Sequence, residues 1–145
     1  MPFVSVTRLK VRSVRFLPSF VIHTLRSVRQ VKEAQRFGDG ALLIDRHWTF
    51  WTMTSWDNQD NVRSFMRAGS HWKAMPHLLD WCDEATVVHW DQSETGLPSW
   101  PDASQRMRES GRPSKVRFPS PHHGTLSFPS PRVIAGASIA AKRPN

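Results

Sequence analysis

The alternation of apolar and polar positions divides the first ninety or so residues into strands and helices. Phe3–Val11 is rich in β-branched residues, which predicts a first strand with apolar side chains on both faces. Apolar residues spaced three and four apart then predict a helix over 16–36. A hairpin follows, with strands over 41–45 and 48–56. Large rings on both faces of the second hairpin strand place it in the centre of a sheet that is covered on both sides.

The next part of the pattern adds helices and a fourth strand. Val62, Phe65 and Met66 form the apolar stripe of a helix that ends at Gly69. A short helical stretch follows, which Pro76 interrupts unless it opens a further turn, and a strand covers 84–91. The order strand, helix, hairpin, helix, strand is that of an α+β ferredoxin-like fold (βαββαβ), a four-stranded antiparallel sheet with helices on one face. Its other face then needs cover from a partner, a ligand or a further helix.

That further helix has clear end signals. Ser99 is a candidate cap with Asp102 three residues later, which predicts a helix over Trp100–Ser110. Its apolar side chains are only Ala103 and Met107, so we expect it on the surface or against a neighbouring subunit.

Proline and serine repeats without an apolar period follow this helix, and they predict a disordered segment. We therefore predict a ferredoxin-like domain over 1–112 and a basic Pro/Ser-rich disordered tail over 113–145. Deleting residues 124–145 is then expected to leave the melting temperature nearly unchanged.

Charge and cysteine content narrow the class of protein. The net charge of +8 is uneven: residues 1–32 carry seven Lys and Arg and no acid, 33–105 carry five against eleven acids, and 106–145 carry eight against one. The basic ends raise the alternatives of a targeting segment or nucleic-acid binding, but a strand at the start and the absence of an RNA-binding aromatic motif disfavour both. A single cysteine excludes an internal disulfide and predicts a reducing, cytoplasmic location. The chain has no apolar run of 18 residues, so we expect no membrane span.

No strong catalytic motif is present, so individual residues carry the chemical argument. His122 and His123 are adjacent but have no fixed third ligand, so the sequence predicts no metal site. Cys82 precedes the acidic pair Asp83 and Glu84, whose charge opposes thiolate formation and disfavours a nucleophilic role.

His71 is the candidate catalytic residue. It follows Gly69 and Ser70 at a helix start, where its side chain can enter the cleft between sheet and helices as a proton carrier or an axial ligand. The alternative is a structural histidine that hydrogen-bonds a nearby backbone group or packs between Trp72 and a strand. Trp51, Met53 and Trp72 are the candidate substrate-binding residues of this cleft, with core packing as their alternative role.

A longer motif resembles a known family. It consists of TFWTMTSW over Thr49–Trp56, then the apolar stripe that ends at Met66, then GSH over 69–71 and AMP over 74–76. Over about residues 2–92 the chain resembles the antibiotic-biosynthesis monooxygenase-like superfamily of dimeric α+β barrels, and within it spheroidene monooxygenase-like proteins and their uncharacterised bacterial relatives.

The resemblance implies a homodimer joined through the open sheet face, with a pocket between sheet and helices. Some members oxygenate polycyclic or carotenoid substrates and some handle haem, so haem and cofactor-free chemistry are both open. The leading hypothesis is a monooxygenase-like enzyme acting on a hydrophobic small molecule in an apolar Trp-lined cleft, with His71 orienting the substrate or binding haem. The alternative is a non-catalytic dimeric ligand-binding protein of the same fold.

Overall fold

A computed structural model describes residues 2–34, 37–93, 96–126, 128, 131–132 and 135–140. Within these ranges it contains six strands and four α-helices. The strands are β1 (Phe3–Val11), β2 (Phe37–Asp45), β3 (Thr49–Trp56), β4 (Cys82–Asp91), β5 (Arg112–Pro113) and β6 (Ala135–Ala140). The helices are α1 (Leu17–Lys32), α2 (Gln59–Met66), α3 (Gly69–Trp81) and α4 (Trp100–Ser110).

All neighbouring strands pair antiparallel in one sheet of order β5-β4-β1-β3-β2-β6. The four central strands and the helices between them have the ferredoxin-like order that the sequence predicts. Strand β1 lies between β3 and β4, and its register sets Ser5 opposite Thr54 and Thr7 opposite Thr52. These two pairs share one face of the sheet, because side chains two residues apart on a strand point the same way.

Glycine and proline lie inside regular elements at three positions. Helix α1 ends at Lys32, four residues before the predicted end, and Gly38 and Gly40 lie inside β2, which begins at Phe37. A Cβ at Gly40 would lie only 3.1 Å from the Met53 carbonyl oxygen, so the glycine permits a close strand approach. Pro76 lies inside α3 and does not end it.

Helices α1, α2 and α3 lie on one face of the sheet. Phe20 and Val31 are the buried residues of α1. Val21 and Leu25, which the spacing assigns to the buried stripe, are 42% and 61% exposed. The predicted stripe is therefore wrong at Val21 and Leu25, whereas Leu17, Val28 and Val31 pack in the core as predicted. Of the helices that the structure describes, none is long and apolar enough to cross a membrane.

Helix α4 lies on the opposite face of the sheet. Its Ser99 cap accepts a hydrogen bond from the backbone N–H of Asp102 at 3.2 Å, as the capping signal predicts. Ala103 and Met107 are fully buried against the sheet, whereas most other residues of α4 are exposed. Helix α4 is therefore the surface helix that the sequence predicts, and its narrow apolar face packs on the sheet of its own chain. Helix α4 thus covers much of the face that the sequence analysis left open. An uncovered sheet face is therefore no longer a reason to expect a homodimer.

The segment after α4 also differs from the prediction of a disordered tail. Phe128 is 7% exposed in the core beneath α4, and β6 pairs with β2 from Ala135 to Ala140. Backbone hydrogen bonds also hold residues 114–120, which follow β5, to the domain. The amide of Ser114 donates to the carbonyl of Ala85, that of Arg117 to Leu79 and that of Ser120 to Asp83. Residues 127, 129–130, 133–134 and 141–145 of the predicted tail lie outside the described residues.

Candidate functional site

A cavity of about 140 Å³ lies between the sheet and helices α1, α2 and α3. The sheet contributes four small hydroxyl side chains to its floor, the cross-strand pairs Ser5–Thr54 and Thr7–Thr52, with Leu9, Leu42, Val87 and Ile139 around them. Its walls are mainly apolar and include Phe20, Val28, Val31, Val62, Phe65, Met66, Met75, Leu78 and Trp81. Because hydroxyls both donate and accept hydrogen bonds, this cavity suits a mostly apolar molecule that carries a polar substituent.

Gln30 of α1 fixes the position of His71 beside this cavity. The Gln30 amide nitrogen donates to the carbonyls of Ala68 at 2.7 Å and Phe65 at 3.2 Å, and its Oε1 accepts from the His71 backbone N–H at 2.8 Å. Ala68, the residue that caps α3, has no side-chain acceptor, so Gln30 supplies the missing cap from another helix. Gly69 has φ +56°, and a Cβ there would lie 3.2 Å from the Gln30 side chain.

The His71 ring lines the cavity, and its surroundings define its protonation. Nδ1 lies 3.2 Å from the Met66 carbonyl oxygen, which can only accept, so Nδ1 carries the hydrogen and Nε2 of the neutral ring keeps its lone pair. Burial lowers the pKa of His71 below its ordinary value, and the hydrogen bond to Met66 opposes this in part. A neutral His71 at pH 7 is thus able to accept a proton.

We expect the free energy of unfolding to fall as the pH drops below about 6.5, the ordinary histidine pKa. Burial is the largest cause of the lowered pKa values of His23, His71 and His89. The unfolded chain therefore binds protons at a pH where these folded histidines are still neutral. Stability is lost between pH 6.5 and each folded pKa, by up to about 1.4 kcal/mol per pH unit for a buried histidine. Chemical denaturation at pH 7.5, 6.5 and 5.5 measures this.

His71→Gln is the control for this pH dependence, since glutamine does not titrate. Its loss of stability from pH 7.5 to 5.5 should be smaller than that of the parent protein. An equal loss in both proteins would contradict a lowered pKa at His71.

The structure separates His71 from the other predicted site residues. Trp51 and Met53 are fully buried on the opposite face of the sheet, in the cluster with Met107 of α4. Trp72 is 57% exposed and lines a neighbouring groove. The prediction that Trp51 and Met53 share a cleft with His71 is wrong, because odd and even positions of β3 face opposite sides of the sheet.

The cavity beside His71 is lined by aromatic and imidazole side chains other than the predicted Trp51, Met53 and Trp72. Trp81 is 8% exposed and lines the cavity, and the His77 ring stacks on it at 5.0 Å. His23 also lines the cavity, and its buried Nδ1 has no hydrogen-bond partner among the described residues. The sequence signal for these residues is the i, i+4 spacing of His77 and Trp81, which places both on one face of a helix.

Cys82 and the tail histidines do not contribute to this cavity. Cys82 is fully buried, and burial, with Asp83 second, raises its pKa to about 12, which opposes thiolate formation as the sequence indicates. The Nε2 atom of His123 lies 2.8 Å from the Ser114 carbonyl oxygen. In the described part of the chain no three His, Cys, Asp or Glu side chains are grouped to hold a metal ion.

Haem does not fit the cavity beside His71. At about 140 Å³ the cavity is smaller than the pockets of roughly 300–1,000 Å³ that hold drug-sized molecules. A haem macrocycle is larger than such molecules. The structure therefore offers no room for His71 to act as an axial ligand.

Comparison with known proteins places the fold. No family model matches the chain, and no curated protein matches it. SnoaB, a cofactor-independent oxygenase from Streptomyces nogalater, superposes with a TM-score of 0.54 at 14% identity, over 65% of this chain and 95% of SnoaB. Rv0793 from Mycobacterium tuberculosis superposes with a TM-score of 0.60 at 5% identity, over 66% of this chain and 99% of Rv0793. An antibiotic biosynthesis monooxygenase superposes with a TM-score of 0.51 at 12% identity, over 63% of this chain and 99% of that protein.

These likenesses establish the class of fold. The chain has the α+β ferredoxin-like fold of antibiotic biosynthesis monooxygenase-like proteins. The matched structures are covered almost whole, whereas about a third of this chain lies outside each superposition.

Proposed function

We propose that this chain is a monooxygenase-like enzyme that holds a small aromatic substrate in the cavity beside His71. The observation that carries the proposal is the combination of apolar walls, small hydroxyl side chains and a neutral histidine in one cavity between the sheet and the helices. The fold shared with SnoaB, a cofactor-independent oxygenase, supports it. The homodimer, the cytoplasmic location and the closer relation to spheroidene monooxygenase-like proteins remain predictions from the sequence.

The size and lining of the cavity define the substrate class. An apolar cavity of about 150 Å³ in another protein binds benzene, so a cavity of about 140 Å³ suits a small aromatic molecule. Phe20, Phe65 and Trp81 offer ring faces for such a molecule. A hydroxyl or keto substituent would hydrogen-bond to the floor at Thr7 or Thr52.

The proposed reaction converts a CH₂ carbon beside the aromatic ring into a carbonyl. One oxygen atom of O₂ forms the new C=O bond, and the two hydrogens leave with the other oxygen atom as water. The substrate supplies all the electrons, so the protein's task is to bind it and to accept its first proton. His71 Nε2 is the atom we assign to that proton, since Nδ1 is held by Met66.

Labelled oxygen tests this function. One- and two-ring phenols and cyclic aryl ketones with a ring CH₂ are incubated with the protein under ¹⁸O₂, and the products are measured by mass spectrometry. We expect one labelled oxygen atom in the product, at a rate above the protein-free reaction. Compounds that bind but stay unchanged would favour the non-catalytic binding protein, and a cavity that binds none of them would contradict both functions.

A further inference from the structure

A second depression, of about 430 Å³, lies beside the cavity on the side of α2 and β4. Met66, Met75 and Val87 line both spaces, so the two spaces adjoin at these apolar side chains. A molecule whose rings occupy the cavity can therefore place one end in the second depression. We call this depression the arginine groove, because Arg63, Arg67 and Arg112 line it.

The charged side chains that line the arginine groove are all positive. Arg63 lies on α2, Arg67 follows its last turn, and Arg112 comes from β5. No Asp or Glu lines the groove, and no ion pair joins these three arginines to an acid in the described part of the chain. Cations at the end of α2 also favour the helix dipole, but that role does not account for Arg112, which belongs to a strand.

His89 shows that two of these charges act on the same space. Its ring lines the groove, and its buried Nε2 has no hydrogen-bond partner among the described residues. Burial lowers the pKa of His89 most, and the charges of Arg112 and Arg63 lower it further. The charges of two guanidinium groups thus act on one ring that lines the groove.

Flat apolar surface lies next to the arginines. Trp72 and Met75 line the groove and are 57% and 37% exposed. A guanidinium binds a carboxylate through two parallel hydrogen bonds, and an indole face packs against the ring that carries it. The groove therefore has the chemistry to hold a carboxylate attached to an aromatic system.

We propose that the substrate is an aromatic carboxylic acid, with its rings in the cavity and its carboxylate in the arginine groove beside Arg63 and Arg112. This rests on the proposed function and names its substrate class. Trp72, which the sequence assigns to substrate binding, contacts the acid end of the substrate in this arrangement. The positive groove attracts the anion, so binding weakens as salt rises.

A matched pair of probes tests the proposal. 2-Naphthoate and 2-naphthamide share their rings and differ in charge, and their fluorescence gives affinities for the wild-type protein and for Arg63→Gln/Arg112→Gln. We expect naphthoate to bind the wild type at least about tenfold more tightly than naphthamide, as for a charge-assisted hydrogen bond. The double variant should lose that preference and keep its affinity for naphthamide. Arg29→Gln, an exposed change on α1, is the matched control and should bind both probes like the wild type.

The outcomes separate this inference from the proposed function. Equal binding of both probes to the wild type would overturn the carboxylate site while leaving the cavity as a binding site. A preference for naphthoate that survives in the double variant would also overturn it. If naphthamide fails to bind while naphthoate binds through the arginines, the groove stands and the cavity of the proposed function does not. Binding of neither probe overturns both.

Discussion

Replacing Phe128 with alanine is expected to lower the free energy of unfolding by about 3–5 kcal/mol, the usual cost of truncating a buried phenylalanine. The Phe128 ring meets Trp51 edge-on at 5.7 Å, and the Arg8 guanidinium lies 4.5 Å from its centroid. Arg8 is itself 5% exposed and 3.6 Å from the Glu84 carboxylate. Removing the ring leaves a void beside a buried ion pair, which adds to the lost apolar burial.

Phe118→Ala is the matched control for this prediction. Phe118 lies in the same part of the chain and also has a guanidinium over its ring, that of Arg12 at 4.6 Å, but it is 53% exposed. Its truncation should cost less than about 1 kcal/mol. Urea denaturation of the two variants compares them. Equal, small losses would contradict the docking of Phe128 and restore the prediction of a tail that adds no stability.

Elements with local signals could be predicted from the sequence. Strand β1 has the predicted bounds, because its β-branched and aromatic residues are a local signal that needs no distant information. Helix α4 also has its predicted bounds, since Ser99, Asp102 and Gly111 mark its ends. The ferredoxin-like order followed from the order of these elements.

The side of the sheet that holds the cavity was not assigned correctly. The large side chains of β3, Trp51 and Met53, suggested a binding cleft, but they fill the face under α4. The cavity forms on the other face because Thr52 and Thr54 are too small to fill the space beneath the helices. The alternation of large and small residues was visible in the sequence, and the smaller set was the better guide to a binding site.

Contacts between distant segments could not be predicted. Gln30 reads as a polar residue on a helix, and its bonds to Ala68 and His71 exist only once α1 packs beside the turn between α2 and α3. Phe128 and Ile139 are isolated apolar residues without a period, so nothing local indicated that they are buried. Phe128 meets Trp51 of β3 and Ile139 pairs with Gly40 of β2, and both partners lie more than seventy residues earlier in the chain.

Replacing His71 with alanine is expected to lower turnover of the oxygenation substrate by roughly a hundredfold or more, the usual contribution of a general base. The free energy of unfolding should change by only about 1 kcal/mol, because the ring lies at a cavity and its backbone N–H keeps its bond to Gln30. Substrate affinity should change little, since the cavity walls and the hydroxyl floor stay in place. Steady-state kinetics, a binding titration and chemical denaturation of the same variant measure the three quantities.

His23→Ala is the control, because His23 is a second histidine that lines the same cavity and has a lowered pKa. Its Nδ1 is not held by a carbonyl, so the ring lacks the fixed tautomer that presents a lone pair at Nε2 of His71. We expect His23→Ala to retain most of its turnover. A large loss of turnover in His23→Ala with normal turnover in His71→Ala would move the proton acceptor to His23. If His71→Ala instead loses stability by several kcal/mol while its folded fraction reacts normally, His71 is a structural residue that packs between Phe65 and the α2–α3 turn.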